Sequence, residues 1–75
     1  MATVSGQTVK IGDWVGFKSH VDQMGQIVDI KRTYSGTSLT IENPKGFHGD
    51  LSGETVTTEL AVDCWLLCWR SSLSQ

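Results

Sequence analysis

The side chains that could support catalysis or metal binding are few. His20 and His48 are the only histidines, and Cys64 and Cys68 are the only cysteines. Their spacing does not match a zinc site, which needs about four converging ligands. Asp50 follows His48 closely enough to orient its imidazole, but in a glycine-rich segment a plain polar loop is the better interpretation. We therefore expect surface histidines, buried structural thiols, and no catalytic residue, metal or cofactor.

Basic side chains interleaved with aromatic ones indicate a second kind of chemistry. Cations beside an exposed ring form the kind of patch that binds single-stranded nucleic acid, because bases stack on the ring. We expect the loops 19–23, 32–36 and 43–53 to meet at one end of the fold. The candidate partner or nucleic-acid surface on these loops is Lys18, His20, Lys31, Arg32, Tyr34, Lys45, Phe47 and His48. The net charge of −2 counts against nucleic acid, and solvated loop charges are the alternative.

The size and composition are those of one small globular domain. The chain has 75 residues, 39% of them hydrophobic and 19% charged, which argues against disorder. Four residues of extended chain between the two cysteines span roughly 13 Å, beyond the ~7 Å limit for a disulfide. The longest apolar run, residues 65–69, is far too short to span a bilayer, and no signal peptide is visible. We expect a reduced, cytoplasmic protein.

Alternating apolar residues predict an all-β fold. Gly12 and Asp13 interrupt the first apolar run and allow a sharp bend. Leu39 and Ile41 define an inward-facing side of a later strand. The predicted strands cover residues 9–18, 26–31, 38–42, 54–59 and 65–69. We predict a small five-stranded SH3-like barrel with a short helical turn before the last strand.

The C-terminal segment has two interpretations. Residues 60–70 fit either one helix or a short helical turn over 60–64 followed by a strand over 65–69, and the aromatic content favours the second. We expect residues 9–70 to form a single domain. Residues 1–8 are then a flexible N-terminus and residues 71–75 a flexible tail.

The predicted last strand is apolar on both faces, so something must cover its outer side. Trp65, Leu67 and Trp69 share one of these faces. In a chain of this length the simplest cover is another copy, since burial of aromatic area contributes about 25 cal/mol per Å² and symmetric oligomers are common. We predict a homo-oligomer with Trp65, Leu67 and Trp69 as the self-association surface.

Two known families have a pattern similar to residues 12–28. Gly12-Asp13-Trp14-Val15, a bend, and then Gly25-Gln26-Ile27-Val28 resemble the KOW motif of ribosomal proteins and transcription elongation factors. KOW modules are SH3-like barrels that bind RNA or protein. The resemblance implies that fold and a possible nucleic-acid partner.

The second resemblance, to plasmid-encoded type II dihydrofolate reductase, is closer. Gly12-Asp13-x-Val15-x-x-Lys18-Ser19 and then Gly25-Gln26-Ile27-Val28 match that family without a gap over about seventeen residues. The family is a chain of similar length, an SH3-like barrel, and a tetramer with one active-site pore. The resemblance implies the barrel and oligomerisation.

The catalytic residues of that family are not matched. Its Val-Gln-Ile-Tyr pore strand falls at Thr55-Val56-Thr57-Thr58, and its pore lysine falls at Phe17. The reductase is therefore the second alternative and a KOW-like nucleic-acid module the first. We predict a small non-catalytic interaction module that self-associates, of a kind frequent among phage and mobile-element proteins.

Overall fold

The computed structural model describes residues 2–67, which fold into antiparallel β-sheets. The strands are β1 (Ala2–Val4), β2 (Gln7–Val9), β3 (Trp14–Ser19), β4 (Val21–Thr33), β5 (Gly36–Glu42), β6 (Val56–Leu60) and β7 (Cys64–Leu66). Short 3₁₀ turns occupy Gly49–Leu51 and Ala61–Asp63. The predicted all-β class is confirmed. Within residues 2–67 no helix has the length and apolar character needed to cross a membrane.

Residues 2–9 form a hairpin in which β1 pairs with β2, in the segment where we expected a flexible N-terminus over residues 1–8. Ser5 and Gly6 connect them with φ angles of 52° and 80°. Two consecutive positive φ values are the geometry of a tight hairpin turn that matches strand twist. The hairpin packs on the main core through Val4 and Val9, which are each 1% exposed. Two β-branched side chains thus anchor a segment whose other residues are small and polar.

The remaining strands form one sheet in the order β6-β5-β4-β3-β7. Its longest member, β4, has 13 residues and pairs with β3 through its first half and with β5 through its second. The segment 19–23, which we expected to be a polar connection, is mostly strand, with a tight turn at His20. Polar Gln23 is accommodated on the buried side because its amide has hydrogen-bond partners there.

A bulge in β4 lets side chains from both of its halves point into the same core. The register with β5 shifts between Ile27 and Asp29, which leaves Val28 as the extra residue. Ile27 pairs with Ile41 and Ile30 with Leu39. Without the bulge, residues three apart on a strand would face opposite sides. The inward orientation predicted for Leu39 and Ile41 is confirmed, and both are fully buried.

The C-terminal part of the sheet follows the preferred interpretation. The 3₁₀ turn Ala61–Asp63 precedes β7, so the predicted short helical turn and closing strand are confirmed within the described residues. The single-helix alternative for residues 60–70 is wrong over residues 64–66, which pair with β3. β7 ends at Leu66, so Leu67 is not part of the strand predicted over 65–69. Residues 68–69 of that prediction, and the tail 71–75, lie outside the described residues.

A truncation at Val4 tests whether the N-terminal hairpin belongs to the core. We expect Val4→Ala to lower the free energy of unfolding by about 2 kcal/mol, since two buried carbons are removed and a small cavity remains. Thr3→Ala, on the exposed side of the same strand, is the control and is expected to change it by less than about 0.5 kcal/mol. Urea unfolding measures both, and equal midpoints for the two variants would contradict the packing of the hairpin.

Candidate binding groove on the outer face of the sheet

The floor of the candidate site is the outer face of β3 and its two neighbours. Val15 and Phe17 are fully buried, so alternation places Trp14 and Gly16 on the opposite face. Gly16 pairs with Met24 of β4 on one side and with Trp65 of β7 on the other. The large side chains of Trp14, Met24 and Trp65 therefore surround Gly16, which has no side chain.

Gly16 lets the Trp65 indole lie flat against the sheet. A Cβ atom at position 16 would overlap the indole ring, with its nitrogen as the nearest atom. A glycine in the middle of a strand commonly marks such a close approach. The glycine weakens the strand locally, and the ring that covers it restores contact area. Gly16 and Trp65 therefore behave as one structural unit.

One wall of the groove is a β-turn that follows β5. The Gly46 N–H donates to the Asn43 carbonyl at 2.8 Å, and Pro44 and Gly46 occupy positions that favour these residues in a turn. The Asn43 side chain accepts a hydrogen bond from the Lys45 N–H at 2.9 Å and donates one to the Met24 carbonyl at 2.9 Å. This amide therefore shapes the turn and also attaches it to β4.

The rest of the 43–53 loop is held by a buried glutamine and an aromatic pair. Gln23 is 6% exposed; its Nε2 donates to the His48 carbonyl at 2.5 Å and its Oε1 accepts from the His48 N–H at 3.1 Å. Phe47 packs edge-on against Phe17 with ring centroids 5.6 Å apart. The Gln23 side chain thus pairs with the loop backbone at His48 as a neighbouring strand would, and the adjacent Phe47 ring anchors the loop in the core.

These elements enclose an open groove with a volume of about 730 Å³. That is within the range of small-molecule and peptide sites, about 300–1,000 Å³. Its apolar lining is Trp14, Met24, Pro44, Trp65 and Leu67. Its polar lining includes Asp22, Gln26, Asn43, Lys45 and His48. Met24 is 49% exposed and Trp65 36%, so the apolar surface is open to solvent.

The Cys64 thiol, next to Trp65 in the chain, is buried. Cys64 faces the core and its Sγ donates to the Leu60 carbonyl at 3.4 Å. Burial, and then the negative charges of Glu59 and Asp63, raise the pKa of the Cys64 thiol to about 11. Burial also raises the pKa of Glu59, and the Thr57 hydroxyl partly opposes this. A thiol that stays protonated at neutral pH is a poor nucleophile.

The structure separates the predicted partner surface into two groups. Lys18 lies opposite Asp22 at the start of β4, whereas Lys31 is nine residues further along, about 30 Å of strand at ~3.3 Å per residue. Arg32 and the fully exposed Tyr34 belong to that far end, at the β4–β5 turn. β4 runs as one long strand between the two turns, so Lys18 lies beside its first residues and Lys31, Arg32 and Tyr34 lie at its last residues and the turn that follows. That these residues act as one partner surface stays a prediction.

The other members of that surface lie near the groove or beneath it. His20 is exposed and packs beside Gly49, while Lys45 and His48 line the groove. Phe47 must be removed from the surface, since it is 4% exposed and its ring contacts Phe17. A buried ring is not available to stack on a base.

The predicted self-association residues fall on the groove where they are described. Trp65 and Leu67 both line it, and Trp69 lies outside the described residues. Sequence reasoning missed Trp14, Met24 and Gln23. The outward position of Trp14 follows from its alternation with Val15, which was available from the sequence. The role of Gln23 depends on a partner 25 residues away in the chain and left no local signal.

Comparisons of this chain with protein-family models, with curated proteins and with solved structures found no match. Within residues 2–67, no three histidine, cysteine, aspartate or glutamate side chains come together as a metal site. The groove is therefore interpreted from its own geometry.

A double-mutant cycle tests the Gly16–Trp65 unit. We expect Gly16→Ala to destabilise the protein by about 2 kcal/mol, because the new methyl group displaces the indole. In a Trp65→Ala background the same change should cost at least about 1 kcal/mol less, which is a coupling typical of contacting residues. Urea unfolding gives the energies, and the indole N–H resonance of Trp65 reports the displacement. Additive effects would show that the ring does not cover Gly16.

Alkylation kinetics test the burial of Cys64. In a Cys68→Ser variant, which leaves one thiol, we expect iodoacetamide to label the native protein very slowly at pH 8, because the reactive thiolate forms only as the pH approaches about 11. The same variant in denaturant is the control and should label at the rate of a free cysteine. Rapid labelling of the folded protein at pH 8 would contradict the described environment.

Proposed function

We propose that the protein is a small SH3-like interaction module that self-associates through the groove. The barrel assignment is supported by a single five-stranded antiparallel sheet whose last strand follows a short 3₁₀ turn. It is also supported by the long β4, which the bulge at Val28 bends and which takes part in both halves of the sheet. These features agree with the fold implied by the resemblance of residues 12–28 to small barrel families.

The observation that carries the proposal is the exposed apolar face around Gly16. Trp14, Met24, Trp65 and Leu67 come from three strands and the segment after β7, and they converge on one open groove. Contiguous exposed apolar surface of this kind marks interaction sites in soluble proteins. Aromatic residues and methionine are also the residue types enriched in the centres of protein interfaces.

The size of the domain favours self-association as the use of that face. A chain of this length buries only about 60% of its unfolded surface, so its own core is marginal. In the part of the chain that the structure describes, seven side chains are buried to below 2% exposure, and most of these are aliphatic. Covering Trp65 and its neighbours with a second copy adds apolar burial that the monomer lacks.

The two alternative functions have less support from the same positions. A pore lysine of the reductase type has no equivalent, since Phe17 is fully buried in the core. A KOW-like nucleic-acid surface would need its cations together, and the long β4 separates Lys18 from Lys31 and Arg32. An interaction module uses the groove without requiring either arrangement.

Sedimentation velocity tests the proposal. We expect the sedimentation coefficient of the wild-type protein to rise with concentration from that of an 8.2 kDa monomer towards an oligomer. Trp65→Ala should weaken association by at least about tenfold, as expected for a central aromatic anchor. Tyr34→Ala removes a fully exposed aromatic at the far turn and should behave as wild type. A wild-type protein that remains monomeric up to about 1 mM, the upper end of weak affinities, would overturn self-association.

A further inference from the structure

The groove has charged groups of both signs beside its apolar floor. Asp22 lies near the start of β4, and Lys45 lies on the β-turn that forms the wall. The turn is attached to the Met24 carbonyl through the Asn43 side chain, and Asp22 precedes Met24 by two residues on β4, so both charged residues line the groove near Met24. Both Asp22 and Lys45 have exposed side chains.

This charge pattern discriminates among the possible occupants of the groove. A single-stranded nucleic acid requires several cations, and a basic peptide requires several carboxylates. Among residues 2–67, the groove lining has one carboxylate, Asp22, and one lysine, Lys45, so this part of the lining carries both signs of charge. A surface with one group of each sign beside an apolar centre can be complementary to a second copy of itself.

Two-fold symmetry turns this pattern into specific contacts. In a face-to-face dimer, a residue on one side of the axis meets the residue at the reflected position of the other copy, and the contact occurs twice. An axis that passes near Met24 places Asp22 of each copy against Lys45 of the other. Met24, which is 49% exposed, then contacts Met24 of the second copy at the centre of the interface. Methionine adapts well to such self-packing because its side chain is flexible.

We propose that the occupant of the groove is a second copy of this chain, docked face to face about a two-fold axis near Met24, with reciprocal Asp22–Lys45 ion pairs. The inference rests on the proposed self-association and specifies its symmetry and its polar contacts. Lys18 lies across the strand pair from Asp22 and is the intramolecular competitor for this carboxylate. The ion pairs determine orientation, while the aromatic floor supplies most of the binding energy.

Charge reversal with rescue between different molecules tests the pairing. Asp22→Lys alone and Lys45→Asp alone should each weaken self-association by about tenfold or more, because each juxtaposes like charges twice. An equimolar mixture of these two variants should form heterodimers with close to wild-type affinity, since every contact again joins opposite charges. If a substitution weakens association by changing the Lys18–Asp22 contact within one molecule, mixing the two variants will not restore the affinity. Sedimentation velocity of each variant and of the mixture measures these affinities.

Matched variants control for net charge. Asp29→Lys and Lys31→Asp produce the same changes in net charge at exposed positions of the far half of β4. Alone and mixed, they should associate as the wild type does. If they reproduce the losses and the rescue, overall charge explains the result and the specific pairing is wrong. Circular dichroism checks that each variant is folded.

Salt dependence of the wild-type protein gives a test without substitutions. The affinity should fall between about 50 mM and about 500 mM NaCl, because ions screen pairs at the edge of an interface. Self-association that is insensitive to salt, or a mixture without rescue, overturns the Asp22–Lys45 pairing and leaves self-association in place. A wild-type protein that is monomeric at all concentrations overturns both the proposed function and this inference.

Discussion

The arrangement of the groove depends on the two hydrogen bonds between Gln23 and the backbone of His48. Gln23 is the polar residue among the buried side chains of the described chain. Its side-chain amide bonds the N–H and the carbonyl of His48, as the backbone of a neighbouring strand would. A buried amide without partners would cost about 1–3 kcal/mol. The Gln23 amide and the His48 backbone groups therefore satisfy each other's hydrogen bonds. This pairing holds the loop at His48 against β4, and the Asn43 side chain attaches the preceding turn, so the loop is fixed on either side of the buried Phe47.

A second constraint acts from the opposite side. Gly16 has no side chain, and the Trp65 ring from the neighbouring strand occupies the space that a Cβ atom would fill. The groove therefore lies between a glutamine that fixes a loop from inside the fold and a tryptophan that covers a glycine from outside. Neither element is part of the apolar alternation that defines the core, so the outer face has its own structural determinants.

The sequence was informative where local pattern decides structure. Leu39 and Ile41 follow strict alternation, and the short turn before β7 was preferred to one helix because the aromatic content of the following residues favours a strand; both agree with the structure. The sequence was uninformative where a distant partner decides. The β1–β2 hairpin packs against the rest of the core through Val4 and Val9, and the buried position of the Gln23 amide depends on a carbonyl in another loop. The separation of Lys18 from Lys31, Arg32 and Tyr34 is likewise set by the length of β4, which no local pattern indicates.

The bulge at Val28 has a consequence for how this chain can vary. Before the bulge, β4 pairs with β3 over residues 21–26 and with β5 at Gln26 and Ile27; beyond it, β4 pairs with β5 alone. A change in length at the Tyr34 turn therefore alters strand pairing only beyond the bulge, and the groove keeps its geometry. The outer hairpin is in this sense a modular extension, which evolution or a protein engineer can lengthen, shorten or replace independently of the face that binds a partner.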